Sequence, residues 1–129
     1  MEKQFRIKRN EEIGEIVKLK QRVYSDNLII YYRKTDGNLR LAISVSKKYG
    51  DAVERNYAKR LIREASRMVI HKYSNLDLII VVRNDLKKVD FQELIQEMDK
   101  SLIKINQRLD NNVLSIKEEK WKTESLLEY

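Results

Sequence analysis

A chain of 129 residues, 42% hydrophobic and 36% charged, is long enough to close one hydrophobic core and leaves little room for a second. With no cysteine it excludes disulfides, thiolate metal sites and cysteine nucleophiles, and with no apolar N-terminal run or membrane-length stretch it reads as a cytoplasmic protein. The net charge is +7, most of it between Arg33 and Arg67, while acids and bases mix evenly from Asp85 to Tyr129; that placement favours a defined polyanion-binding face.

Turns fall to Asp, Asn and three glycines, Gly14, Gly37 and Gly50, because there is no proline. Asn10 is placed to cap a first helix carrying Ile13, Ile16 and Val17 on one side. Leu28 to Arg33 is rich in β-branched and aromatic residues and reads as a strand, with Leu28, Ile30 and Tyr32 facing the core. Lys34 to Asn38 is a turn in which Asp36-Gly37 is the strongest hairpin signal. Leu39, Leu41, Ile43 and Val45 then alternate with Arg40, Ala42, Ser44 and Ser46, the period-two pattern of a half-buried strand.

The clearest helix follows. Asp51 and Glu54 have the spacing of a capping box. Val53, Tyr57, Leu61, Ala65 and Met68, widened by Ala58, Ile62 and Val69, form its expected apolar side. Asp77 to Val82 is a short apolar strand suited to the centre of a sheet. Asp90 and Glu93 repeat the capping-box spacing ahead of a long helix whose stripe is Phe91, Leu94, Ile95, Met98, Leu102, Ile105 and Leu109. Val113, Leu114, Ile116, Trp121, Leu126 and Leu127 are spaced more weakly. Residues 111–129 therefore read as a C-terminal extension, helical or partly ordered, on a domain of residues 1–110. The order helix–strand–strand–helix–strand–helix is that of an α/β (α+β) two-layer sandwich. Helices cover one face of a small mixed sheet, and the first helix borders a cleft on the other.

Function concentrates in the second helix. Arg55, Lys59, Arg60, Arg63 and Arg67, with Asn56 among them, fan across one half of it, interrupted only by Glu54 and Glu64. Like charges three or four residues apart repel, and a phosphate backbone along that face reverses the sign. Arginine suits the role because its planar fork bonds two phosphate oxygens at once. A solvated helix face is the plainer alternative, but such a face mixes signs. Ser44, Ser46, Lys47 and Lys48 lead into this helix with hydroxyls and amines that can donate to phosphate; a strand with one wet face explains the serines equally well. Tyr31, flanked by Arg33, is either a stacking platform for an unpaired base or a tyrosine packed under the first helix.

Catalytic chemistry is poorly provided. His71 is the only histidine and reads as a helix-end residue near terminal carbonyls. No histidine pair or carboxylate cluster signals a metal, and Glu11-Glu12 and Glu118-Glu119 are sequence neighbours that do not share a helix face.

The run Arg40-Leu41-Ala42-Ile43-Ser44-Val45-Ser46-Lys47-Lys48, then Gly50, Ala52-Val53, Arg55-Asn56, Lys59-Arg60 and Arg63, closely resembles the signature of the bacterial ribonuclease P protein component family. A looser likeness runs from Phe5 to Leu109, with Arg6-Ile7-Lys8-Arg9-Asn10 similar to the family's basic lead-in. The resemblance implies a ribosomal protein S5 domain 2-like fold with a left-handed strand–helix–strand crossover. It implies an accessory subunit of an endoribonuclease whose RNA is the catalyst and, with Mg²⁺, removes the 5′ leader of precursor tRNA. The partners implied are the catalytic RNA and precursor tRNA, in a complex of one protein and one RNA.

Carried over by position, Arg55, Asn56, Lys59, Arg60 and Arg63, with Lys47 and Lys48, resemble the RNA-binding set, and Arg67 joins them from the same basic face of the helix. Tyr31, Ile13, Val17, Arg33, Arg40, Ser44 and Ser46 fall at or beside the leader-binding cleft. No protein residue is implied to be catalytic or metal-ligating. Ile13 and Val17 stand where the family usually has phenylalanines, Lys20 and Ala42 where glycines are common, and Tyr57 where a basic residue often follows the asparagine. The competing function is another basic RNA-binding module, ribosomal or assembly-related. A self-sufficient nuclease needs acid–base or metal groups that this chain does not arrange.

Overall fold

The computed structural model describes residues 5–127, with side chains described through Asp110. Its elements are α1 (Asn10–Lys18), β1 (Arg22–Tyr24), β2 (Leu28–Asn38), β3 (Arg40–Ser44), α2 (Ala52–Arg67), β4 (Ser74–Val82) and α3 (Phe91–Leu127), with 3-10 turns at Lys47–Tyr49 and Ile70–Lys72. The short edge strand β1 adds a third strand before α2, which three-residue periodicity could not reveal. The weak apolar spacing beyond Asp110 lies outside the described side chains.

The four strands lie in the order β1-β2-β4-β3, with β4 antiparallel to β2 and parallel to β3. The expected hairpin at Asp36-Gly37 is therefore absent, because β4 separates the strands on either side of it. Gly37 instead lies within β2, in the register irregularity between Lys34 and Asn38, at φ 104°, and its N–H donates to Asn75 Oδ1 at 3.0 Å where β4 begins. The continuous apolar run of β4 decides the arrangement. It is buried on both faces, so it takes the interior position and leaves β3 at an edge. A short parallel bridge from Arg6 to Leu41 then covers that edge.

Alternation along β4 divides the interior in two. Leu76, Leu78, Ile80 and Val82 join Leu28, Ile30 and Tyr32 of β2 and Leu41 of β3 under α2 and α3. On the opposite face Ile79 packs with Ile7 and with Ile16 of α1, and Ile13, Tyr31, Ala42 and Val81 close around them. Helix α1 thus covers part of the second face and leaves the rest open. Its N-cap is Arg9, not Asn10, which lies inside the first turn.

Helix α2 starts as expected: the Glu54 N–H donates to Asp51 Oδ1 at 2.8 Å and the Asp51 N–H to Glu54 Oε1 at 3.4 Å. Its buried side keeps Ala58, Ile62, Ala65 and Val69 of the expected stripe but not the rest. Ala58, Ile62, Ala65 and Ser66 are buried, whereas Val53, Tyr57 and Met68 are more than half exposed. Small side chains form the stripe that seats the helix, and the Ser66 hydroxyl is satisfied by Ile62 O at 2.6 Å. Helix α3 buries Leu94, Met98, Leu102 and Ile105 as its stripe requires.

Candidate nucleic-acid interface

Two sets of arginines occupy this fold in different electrostatic states. On α2, Asn56, Arg60 and Arg67 are exposed and Arg55, Lys59 and Arg63 are half-exposed. Of these cations only Arg60 has a carboxylate partner among the described residues, Glu64 at 3.1 Å. An exposed pair of that kind contributes little and is readily exchanged for another anion. The N-terminus of α2 is filled by Asp51, so anion binding there falls to side chains. Lys47 and Lys48 stand exposed in the 3-10 turn just before it. Ser46 caps that turn, because β3 ends at Ser44 and the alternation stops two residues earlier than expected.

A groove of about 290 Å³ runs along the edge of β3. Ile7, Ile13, Ala42 and Ile43 give it an apolar floor, and Arg6, Lys8, Lys59 and Arg63 stand along it. It brings Ile13 of α1 beside the cations of α2, residues that the sequence had assigned to separate surfaces. Val17 is 37% exposed on α1 and does not line the groove. A larger depression of about 520 Å³ between β1 and α3 contains none of the expected site residues. Its Glu97 already accepts the Asn27 backbone N–H at 2.6 Å and the Asn27 amide at 2.9 Å.

The open sheet face is a lattice set by strand register. Arg33, Asp77 and Arg40 lie side by side, then Tyr31, Ile79 and Ala42, then Ile29, Val81 and Ser44. Ser44 is exposed at the end away from the charged row. Tyr31 is half-buried against the small core under α1, and its hydroxyl accepts from Arg22 at 3.4 Å. The Arg22 guanidinium lies 5.8 Å from the Tyr31 ring centre and 5.5 Å from that of Tyr24. The ring is thus partly packed and partly open, between the two expected states.

Asp77, the first residue of the apolar strand expected from the sequence, is fully buried. Arg40 donates to its two oxygens at 3.0 Å each and Arg33 donates at 2.7 Å. Burial pushes this carboxyl up, but the hydrogen bonds and charges of Arg40 and Arg33 together hold it below the usual carboxylate range. Outward, Arg33 donates to Glu15 at 3.2 Å and Arg40 to Glu12 at 3.4 Å. The two arginines therefore bolt α1 to the sheet, and a phosphate reaching them must displace those carboxylates. The signal was present in sequence as a lone aspartate opening a buried strand, but only the register names its partners.

His71 sits exposed in the 3-10 turn after α2. Among the described residues no group of three His, Asp or Glu side chains comes together to hold a metal ion, and no helix is long and apolar enough to cross a membrane.

A family model described as ribonuclease P matches residues 1–106. The ribonuclease P protein component of Phytoplasma australiense is 37% identical over 119 residues, covering 87% of this chain and 100% of its own. That of Macrococcus caseolyticus is 40% identical, covering 77% and 88%. Among solved structures, a Staphylococcus aureus RNase P protein mutant superposes with a TM-score of 0.72 at 33% identity, covering 83% of this chain and 92% of its own. The RNase P protein from Thermotoga maritima gives 0.66 at 25% identity, covering 72% and 90%. The signature from Arg40 to Arg63, the sheet it builds and these relatives agree, and the chain belongs to the ribonuclease P protein component family.

Proposed function

We propose that this accessory subunit of ribonuclease P, the ribonucleoprotein that removes 5′ leaders from precursor tRNA, docks the basic side of α2 on the catalytic RNA and lays the leader along the groove under α1. The observation that carries this reading is the row of cations on α2 without carboxylate partners among the described residues, Arg60 excepted. Such a row repels itself until a polyanion lies on it. Arg55, Lys59, Arg60, Arg63 and Arg67, with Asn56, Lys47 and Lys48, make the phosphate contacts. Ile13 lines that groove, and Tyr31, Val17, Ser44 and Ser46 receive the leader where it runs on beyond it. Arg33 and Arg40 act mainly by fixing α1, the wall of that groove.

The chemistry belongs to the RNA: Mg²⁺ is held by the catalytic RNA and the substrate, and no side chain of this protein enters the bond-breaking step. The protein works in the cytoplasm as a monomer on one RNA. Residues 1–110 form the RNA-binding domain, which fits a family match ending at 106, and residues 111–129 extend it.

The test is cleavage of precursor tRNA at low Mg²⁺ and moderate salt by the RNA subunit from the same source, with and without this protein. Adding the protein is expected to restore cleavage at the mature 5′ end, and protein alone to cleave nothing. Cleavage by the protein alone, or no stimulation of its own RNA subunit, would sink the reading.

A further inference from the structure

Tyr57 lies inside the basic motif of α2, yet the fold leaves it outside the core. It is 53% exposed, and Val53 one turn earlier is 77% exposed. At about 100° per residue, Val53, Tyr57 and Leu61 climb one line of the helix beside the line of Arg60 and Arg67. The outward side of α2 is thus split lengthwise, cations on one half and an apolar strip on the other.

The other described tyrosines are all engaged. Tyr24 and Tyr31 lie under Arg22. Tyr32 is buried, the Tyr49 hydroxyl accepts the Leu86 N–H at 3.1 Å, and the Tyr73 hydroxyl donates to Asp99 at 2.8 Å. Among the described residues, Tyr57 has no hydrogen-bond partner and no guanidinium over its ring.

We propose that Tyr57, with Val53 below it, is a stacking seat for an unpaired base of the catalytic RNA, beside the phosphate contact of Arg60. The proposal rests on the reading of α2 as the RNA-docking face. Charge selects the occupant. The strip borders Arg60 and Arg67, and the glutamates beside it are already paired, Glu64 with Arg60 at 3.1 Å and Glu54 with Lys87 and the Asp51 N–H. A protein neighbour needs an apolar centre rimmed with acids to fit there. A single RNA strand supplies both parts, a π-face for the ring and phosphates for the cations. The aromatic ring stands in place of one positive charge, so this seat contributes affinity that salt does not screen.

The experiment measures the affinity of the full chain for its own RNA subunit across a KCl series, for wild type and for Tyr57→Phe, Tyr57→Ala, Tyr57→Arg and Arg60→Ala. Circular dichroism checks that each variant folds, as expected for exposed positions. Tyr57→Ala should weaken binding roughly 5- to 100-fold with an unchanged salt slope. Tyr57→Phe should bind like wild type, and Tyr57→Arg should steepen the slope by about one unit. Wild-type affinity in Tyr57→Ala overturns the seat and leaves the strip to a protein partner. A loss in Tyr57→Phe equal to that in Tyr57→Ala also overturns it, because the hydroxyl would then be bonding a phosphate. If Arg60→Ala leaves the salt slope unchanged and wild type binds without salt dependence, the docking face itself fails and the seat with it.

Discussion

The arginines of the sheet and the arginines of α2 have the same chemistry and opposite states. Arg33 and Arg40 converge on the buried Asp77 and each donates one further N–H, to Glu15 and Glu12 of α1. Arg55, Arg63 and Arg67 have no such partners among the described residues, and Arg60 holds only an exposed glutamate. Positive charge in a sequence therefore reports two different things. In the sheet it neutralises an internal acid and fixes a helix; on α2 it is left for an external polyanion.

The largest expected effect lies on the neutralised side. Asp77→Ala leaves two partly buried guanidiniums without their shared anion and should destabilise the fold by about 3–5 kcal/mol, a large share of a typical domain's stability. Urea unfolding measures it, and a change below 1 kcal/mol would show that the bolt carries no load. Tyr31 stands between the two regions. Tyr31→Ala should weaken precursor tRNA binding by about 1–3 kcal/mol if its open edge stacks on a leader base. An equal loss for mature tRNA would refute a leader-specific role.

On the open side the pattern inverts. Arg60→Ala or Arg63→Ala should alter unfolding free energy by no more than about 0.5 kcal/mol. Each should nevertheless flatten the salt dependence of RNA binding by about one unit of slope. An unchanged slope would remove that residue from the phosphate contacts.

The smallest effect is with pH. Arg40 and Arg33 hold the folded pKa of Asp77 below the usual carboxylate range, so its contribution to stability is present above that range and drains away as pH falls through the lower folded pKa. Wild type should lose stability more steeply than Asp77→Asn below about pH 4. Parallel acid titrations of the two proteins would contradict this assignment.

Local patterns were readable in the sequence. The capping box of Asp51 and Glu54, the stripe of α3 and the inward face of Leu28, Ile30 and Tyr32 all depend on residues within a turn or a strand of each other. The Asp36-Gly37 signal misled because it reports a bend and says nothing of what will lie between the two strands after it. The apolar side of α2 was legible only in part, since Ala58, Ile62 and Ala65 are buried as expected while Val53 and Tyr57 are not. Residue type alone ranks Tyr57 and Val53 above Ala58 and Ser66, but the space between helix and sheet admits the smaller set.

By itself, the sequence determined the order of the elements around α2, the chemistry of the basic motif and the family to which the chain belongs, since these rest on identity and spacing along the chain. Tertiary structure alone decided which arginines are free and which half of α2 faces outward. Both depend on β4 entering between β2 and β3, a pairing of residues some forty positions apart. That entry puts Asp77 between Arg33 and Arg40 and seats α2 on its small residues, leaving Tyr57 in the open.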